Sequence, residues 1–113
     1  MLTDIERKRY QRHLQLPGFG EHGQRALKDA RVCIVGLGGL GSPAGLYLAS
    51  AGIGKLVLVD GDTVSLSNLQ RQVLFTEGDL GRNKAIVASA HLTARNNGID
   101  ITAVKQFLDV NTA

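Results

Sequence analysis

Three glycines, Gly36, Gly38 and Gly41, stand in the stretch VGLGGLG, with Gly39 between the last two. That spacing, after an apolar run and before a helical pattern, suits phosphate binding. One glycine permits a tight turn, one lets an anion approach the backbone, and one lets helix and strand pack closely. The N–H groups opening the helix, with its dipole, then favour negative charge. Asp60 ends the next apolar run, KLVLVD, 19 residues after Gly41. An acid at the end of a second strand is where a nucleotide-binding fold holds a ribose. The segment DGDTVSLSNLQRQ follows, with Ser67, Asn68, Leu69, Gln70 and Arg71 in a row. Lys84, in GRNKA, falls in the first turn of a helix, where a cation opposes the dipole. A bound polyanion removes that conflict. Taken singly, Arg71 or Lys84 is an ordinary surface charge. As a pair beside a glycine loop they read as phosphate ligands, Arg as a planar fork and Lys as a point charge. Two cations, the Asn68 amide and the helix start suit a triphosphate better than a bridging pyrophosphate. The glycine motif by itself leaves NAD, FAD and ATP open.

The elements that must position these residues are legible in outline. Thr3 and Glu6 have capping-box spacing, which predicts a helix over 3–14. LPGFG breaks it, and a short helix follows over 21–29. RVCIVG is a buried strand by type, with Cys33 as a small core residue. Ser42 and Pro43 suit the start of a helix over 42–51, Ser as its cap and Pro in its first turn. That helix, SPAGLYLASAG, carries no charge, so cover on more than one side is expected. Strands are predicted at 55–60 and 101–107, with a helix over 82–96 between them. LDVNTA reads as the start of another helix. The pattern is α/β: a Rossmann-like parallel sheet, the first β-α-β-α-β half with three strands, preceded by two N-terminal helices. Residues 1–113 form one domain or part of one. RVCIVG is expected to be central in a complete sheet of this type, and an edge if the sheet stops here.

Composition narrows the function classes. Of 113 residues, 43% are apolar and 20% charged, and no apolar run approaches the ~20 residues of a membrane span. The opening MLTDIERKRYQRH lacks the apolar centre of a signal peptide. A single cysteine excludes a disulfide framework and suits a reducing cytoplasm. The net charge of +3 is spread along the chain and predicts no nucleic-acid surface. His13, His22 and His91 show no metal spacing and no C-x-x-C is present, so no zinc site is expected within this chain.

RYQRHLQLPGFGEHGQRAL, VGLGGLG, LVDGDTVSLSNLQRQ and GRNKA together resemble the N-terminal part of the MoeB/ThiF adenylyltransferases, bacterial relatives of ubiquitin-activating enzymes. The resemblance runs from about residue 7 to 107, and SNLQRQ is its most specific part. It implies ATP- and Mg²⁺-dependent adenylylation of the C-terminal glycine carboxylate of a ubiquitin-like sulfur-carrier protein. It places Gly39 in the phosphate loop, Asp60 on the ribose hydroxyls, and Asn68, Arg71 and Lys84 on phosphates. Arg12, in RYQRH, matches an arginine that reaches into the partner's site in homodimers of this family. The family's domain is longer than this chain. An Asp that helps bind Mg²⁺, zinc-binding cysteines and a carrier-binding loop belong to its later part, so the chain reads as an N-terminal portion, inactive alone. Two other readings remain: an NAD-dependent oxidoreductase, which leaves Arg12, Asn68, Arg71 and Lys84 idle, and a nucleotide-binding module without turnover.

Overall fold

The computed structural model describes residues 2–107, so the helix expected from LDVNTA lies outside the described residues. Helices α1 (Asp4–Arg9), α2 (Gln11–Leu14) and α3 (Gly20–Asp29) lead into β1 (Arg31–Val35). Then come α4 (Gly41–Ala51), β2 (Lys55–Val59), α5 (Lys84–Arg95) and β3 (Asp100–Val104). Short 3₁₀ turns at Leu66–Asn68 and Glu77–Asp79 shape the long connection between β2 and α5. The strands form a parallel sheet in the order β1-β2-β3, the Rossmann-like half expected from the sequence.

Register explains where the core lies. Val32 pairs with Leu56 and Leu56 with Ile101; two residues on, Ile34 pairs with Leu58 and Leu58 with Ala103. All six belong to the core or pack against it, together with Ala49 of α4 and Ala85, Val87, Ala88 and Leu92 of α5. Alternation sends Cys33, Val57 and Thr102 to the other face of the sheet. There the sequence expectation for Cys33 fails, because its side chain is exposed. The α4 and α5 layer covers one face, and the apolar run of β1 does not reveal which of its residues meets that layer.

Two N-terminal expectations also change. The helix over 3–14 is broken at Tyr10, whose φ of −103° and ψ of 21° separate α1 from α2. The capping box is present: Glu6 N–H donates to Thr3 Oγ1 at 3.1 Å, and Thr3 N–H donates to Glu6 Oε1 at 2.8 Å. Lys28 of α3 also bonds Glu6, at 2.8 Å, and ties the first helix to the third. Burial alone would raise the Glu6 carboxyl, but the bonds from Lys28 and Thr3 outweigh it and hold the pKa below its usual value. β3 stops at Val104, three residues short of the expected strand.

Candidate nucleotide site

The glycine loop joins β1 to α4 at the carboxyl edge of the strands. Gly36 sits at a φ of 90°, in the left-handed region, and a Cβ on Gly41 would lie 1.9 Å from the Gly36 carbonyl oxygen. Those two glycines are demanded by the fold. Gly38 is different: a side chain there would meet no atom within 4 Å, and its backbone lies at negative φ. The space above Gly38 is open, which is what an approaching phosphate needs.

Asp60 is held beside this loop. Its Oδ2 accepts the Leu37 N–H at 2.7 Å and its Oδ1 accepts the Asp62 N–H at 2.8 Å. A carboxylate has about four acceptor positions, so two remain for hydroxyl donors. Beside it lies an apolar recess of about 190 Å³, lined by Val35, Val59, Gly61 and Phe107. The Phe107 ring lies over Gly61, where a Cβ would come within 2.5 Å of it. Sequence reading missed Phe107, which stands beyond the last strand and has no local pattern to mark it.

Ser42 is buried inside the first turn of α4 and does not cap it; the cap position is Leu40. Its hydroxyl oxygen instead accepts the Leu74 N–H at 3.1 Å, pinning the connection after β2 to the start of α4. That pin helps bring Arg71 back over the loop. Arg71 Cδ and Nε lie 3.7 and 3.8 Å from where a Cβ of Gly39 would stand, and its Nη1 donates weakly to the Ser67 carbonyl at 3.4 Å. The Asn68 Oδ1 accepts from Ser65 N–H at 3.2 Å and Ser65 Oγ at 2.9 Å, so the amide oxygen is spent on its own turn. Gln70 donates to the Ser67 carbonyl at 3.3 Å, and Leu69 packs against the core. The row Ser67–Arg71 is thus one short turn that delivers a guanidinium, not five side chains aimed at one point. Gln72, which follows it, is 2% exposed, and among the described residues its Oε1 has no hydrogen-bond donor.

Lys84 opens α5 and is only 5% exposed. It is no surface charge. Asn83 caps the helix through its Oδ1 to the Ile86 N–H at 3.1 Å. The Asn83 Nδ2 reaches the carbonyls of Asp60 at 2.9 Å and Asp62 at 3.1 Å. The Lys84 N–H donates to the Asp62 carbonyl at 3.0 Å. These bonds lock the start of α5 to the Asp60 turn. The Lys84 ammonium lies 3.8 Å from Asp62 Oδ2, too long for a hydrogen bond, and that carboxylate is largely exposed. A lysine so enclosed, with so weak an ion pair, contributes little to the fold alone.

Arg12 is not brought to this edge. It lies on α2, which docks at the opposite end of α4, a full helix length of roughly 16 Å from the glycine loop. A larger open groove of about 370 Å³ lies between α4 and α5, by Leu46, Val73, His91 and Arg95. The glycine-loop edge is the better candidate despite its smaller recess, because the backbone donors, Asp60, Arg71 and Lys84 converge there. Among the described residues no cluster of three His, Cys, Asp or Glu side chains could hold a metal ion. A Mg²⁺ at this edge would depend on substrate phosphate oxygens and water rather than on a cage of protein side chains. No helix among the described residues is long and apolar enough to cross a membrane.

Comparison with known proteins agrees with the geometry. Residues 10–113 match the model of the ThiF family. The chain is 56% identical to the molybdopterin-synthase adenylyltransferase of Escherichia coli K12 over 108 residues, 96% of this chain and 43% of that protein. It is 50% identical to the sulfur carrier protein ThiS adenylyltransferase of the same organism over 107 residues, 95% of this chain and 43% of that protein. It spans less than half the length of these relatives. Among solved structures, E. coli tRNA N6-threonylcarbamoyladenosine dehydratase in complex with AMP superposes with a TM-score of 0.89 at 33% identity, covering 96% of this chain and 43% of that one. The glycine loop at the strand ends, the acid after β2 and the two cations behind it accompany a match over nearly the whole sequence, and the chain belongs to the ThiF family.

Proposed function

We propose that the protein carrying this chain is an adenylyltransferase. It would use ATP to activate the C-terminal glycine carboxylate of a ubiquitin-like sulfur carrier, with this chain supplying the nucleotide-binding half. The observation that carries the reading is Lys84, a lysine only 5% exposed that faces the Asp60 turn and, among the described residues, has only a long ion pair to an exposed acid. A triphosphate gives that charge a partner. Adenine fits the recess of Val35, Val59 and Phe107 by size and apolar character, the ribose hydroxyls meet Asp60, and the phosphates lie over Gly38 between Arg71 and Lys84. The relatives named as adenylyltransferases, and the neighbour structure holding AMP, support the same assignment. A hydride-transfer reading gives no work to Arg71 or Lys84.

The chemistry needs no general base. A terminal carboxylate, with a pKa of about 3.5, is ionised at neutral pH. Its oxygen attacks the α-phosphorus, a carboxylate O–P bond forms, and the bond from the α-phosphorus to the bridging oxygen breaks. The electron pair leaves on pyrophosphate. The protein's work is alignment and stabilisation of the charge that grows on the leaving group. Lys84 and Arg71 serve that charge from within the chain. Arg12, docked at the other end of α4, would serve it from a second subunit of a homodimer. Mg²⁺ accompanying the triphosphate would neutralise further charge.

The test is carrier-dependent exchange of labelled pyrophosphate into ATP by the complete protein. Exchange that requires a sulfur carrier with an intact C-terminal glycine supports the reading. Tighter binding of NAD than of ATP by calorimetry, with no exchange, removes it.

A further inference from the structure

The structure assigns a positioning role to a polar cluster far from the glycine loop: buried Tyr10, Gln24 and Asn96, with half-buried His13, hold Arg12 in place. The inference rests on the phosphate role proposed above for Arg12 and identifies what fixes that residue.

The cluster ties the α1–α2 junction and the middle of α3 to the last turns of α4 and α5. Asn96, 1% exposed at the end of α5, donates to the Tyr10 hydroxyl at 2.7 Å and to the Ala49 carbonyl at 2.9 Å. Its Oδ1 accepts the Gly98 N–H at 3.1 Å. Gln24 of α3, also 1% exposed, donates through Nε2 to the Ala51 carbonyl at 2.9 Å. With Nε2 turned to Ala51, its Oε1, which can only accept, faces the His13 Nδ1 at 2.8 Å. The imidazole therefore carries a proton on Nδ1. The His13 ring stacks on Tyr10 at 5.8 Å and meets the edge of Phe19 at 6.0 Å. Gly52, at a φ of 96° just past α4, completes the fit. A Cβ there would stand 2.6 Å from the Tyr10 ring and 2.7 Å from Gln24 Nε2.

Arg12 sits between two members of this cluster, two residues after Tyr10 and one before His13. Its helix, α2, is four residues long and cannot hold itself by its own hydrogen bonds. Its place is set by Tyr10 on one side and His13 on the other. Arg12 itself is exposed, and among the described residues nothing pairs with its guanidinium. A satisfied buried polar network specifies one arrangement where apolar packing tolerates several. The segment that bears Arg12 is therefore docked on α3, α4 and α5.

The test uses the complete protein and two readouts. In the first, a nitroxide-bearing non-natural amino acid replaces Arg12, so that every cysteine of the complete protein is left unlabelled, and its mobility is compared with and without Gln24→Met or the milder Tyr10→Phe. An immobile label that becomes mobile in either variant supports the inference. A label equally mobile in all three overturns it, whatever the protein's activity. In the second, pyrophosphate exchange is measured in a double-mutant cycle. Gln24→Met is expected to lower kcat by about tenfold, as a misplaced catalytic group does, with KM for ATP nearly unchanged. In an Arg12→Ala background the same substitution should cost less than about twofold, since non-additivity marks residues acting as a unit. A full repeat of the loss in that background means the cluster acts on the fold at large and the inference is wrong. Absence of exchange in the unsubstituted protein counts against the adenylyltransferase reading instead, and leaves the label measurement to decide this one.

Discussion

Lys84 separates what serves the fold from what serves the ligand. A lysine only 5% exposed with a 3.8 Å ion pair adds little stability, because the cost of enclosing it is poorly repaid. Lys84→Met should therefore leave the melting temperature unchanged or raise it, while pyrophosphate exchange falls on the order of 10²-fold, as for lost charge stabilisation. A variant that melts much lower yet exchanges normally would show Lys84 to be structural. Gln72 gives a second contrast. Its buried Oε1 has no donor among the described residues. Gln72→Leu, similar in size, should cost nothing or stabilise by about 1 kcal/mol in urea titration, since an unsatisfied acceptor is removed. A clear loss of stability would mean the oxygen has a partner in solution. Ser42 runs the other way. Ser42→Ala leaves the Leu74 N–H without its acceptor and should cost about 1–3 kcal/mol by the same measurement. These three residues also mark how far side-chain type can be read from sequence. Lys84 was visible because a cation in a first turn is locally wrong. Ser42 was assigned to a cap because Ser before Pro is locally right, but a bond to Leu74, 32 residues away, claims its hydroxyl.

Among the elements, the 3₁₀ turn at Glu77–Asp79 is fastened to α5. Asp79 Oδ2 accepts from Thr76 N–H at 2.9 Å, from Thr76 Oγ1 at 3.0 Å and from His91 Nε2 at 2.9 Å. Burial alone would raise the Asp79 carboxyl, but the bonds from His91 and Thr76 more than offset it and leave the pKa lowered. A lowered folded pKa contributes stability that is present above the unfolded value, near 3.8, and is lost as pH falls through the folded one. Asp79→Asn should thus lose stability at pH 7 and show a shallower fall below pH ~4 than the unsubstituted chain. Glu6, lowered in the same way, keeps part of the acid response. An unchanged acid slope in Asp79→Asn would place the response elsewhere. At this scale the sequence was read well where periodicity governs. The strands, α4 and α5 fell near their expected bounds, since apolar repeats and breakers are local. The break at Tyr10 was invisible, because Tyr10 turns in to meet Asn96, 86 residues away.

The whole molecule shows how a half-covered sheet constrains behaviour. β1 is an edge in this sheet, and Val35 is 53% exposed at its end. Leu40 and Tyr47 stand out from the loop and from uncharged α4, at 89% and 71% exposure. Unpaired strand edges and apolar patches invite association. Residues 1–113 prepared alone should self-associate in sedimentation, and Val35→Lys should reduce this. A monodisperse, cooperatively melting monomer would contradict it. The proposed homodimer makes a separate demand on the complete protein. Mixing Arg12→Ala with Lys84→Ala should restore part of the exchange activity, because one composite site of each mixed dimer is intact. No recovery, with subunit exchange demonstrated, would take Arg12 out of the partner's site. The sheet order and the glycine-loop edge were legible from the alternation of elements. The exposed face was not, because an apolar strand reads the same whether one side or both are covered.

That exposed face carries its own chemical reporter. Cys33 is the only thiol of the chain and points away from α4 and α5. Its rate of reaction with a maleimide is therefore a clock for coverage: fast when the sheet presents that side to solvent, slow once any second layer closes over it. The same clock, run in denaturant, would time the opening of such a layer separately from the unfolding of the nucleotide edge. A residue outside the proposed site thus becomes the simplest means of following assembly of the domain around it.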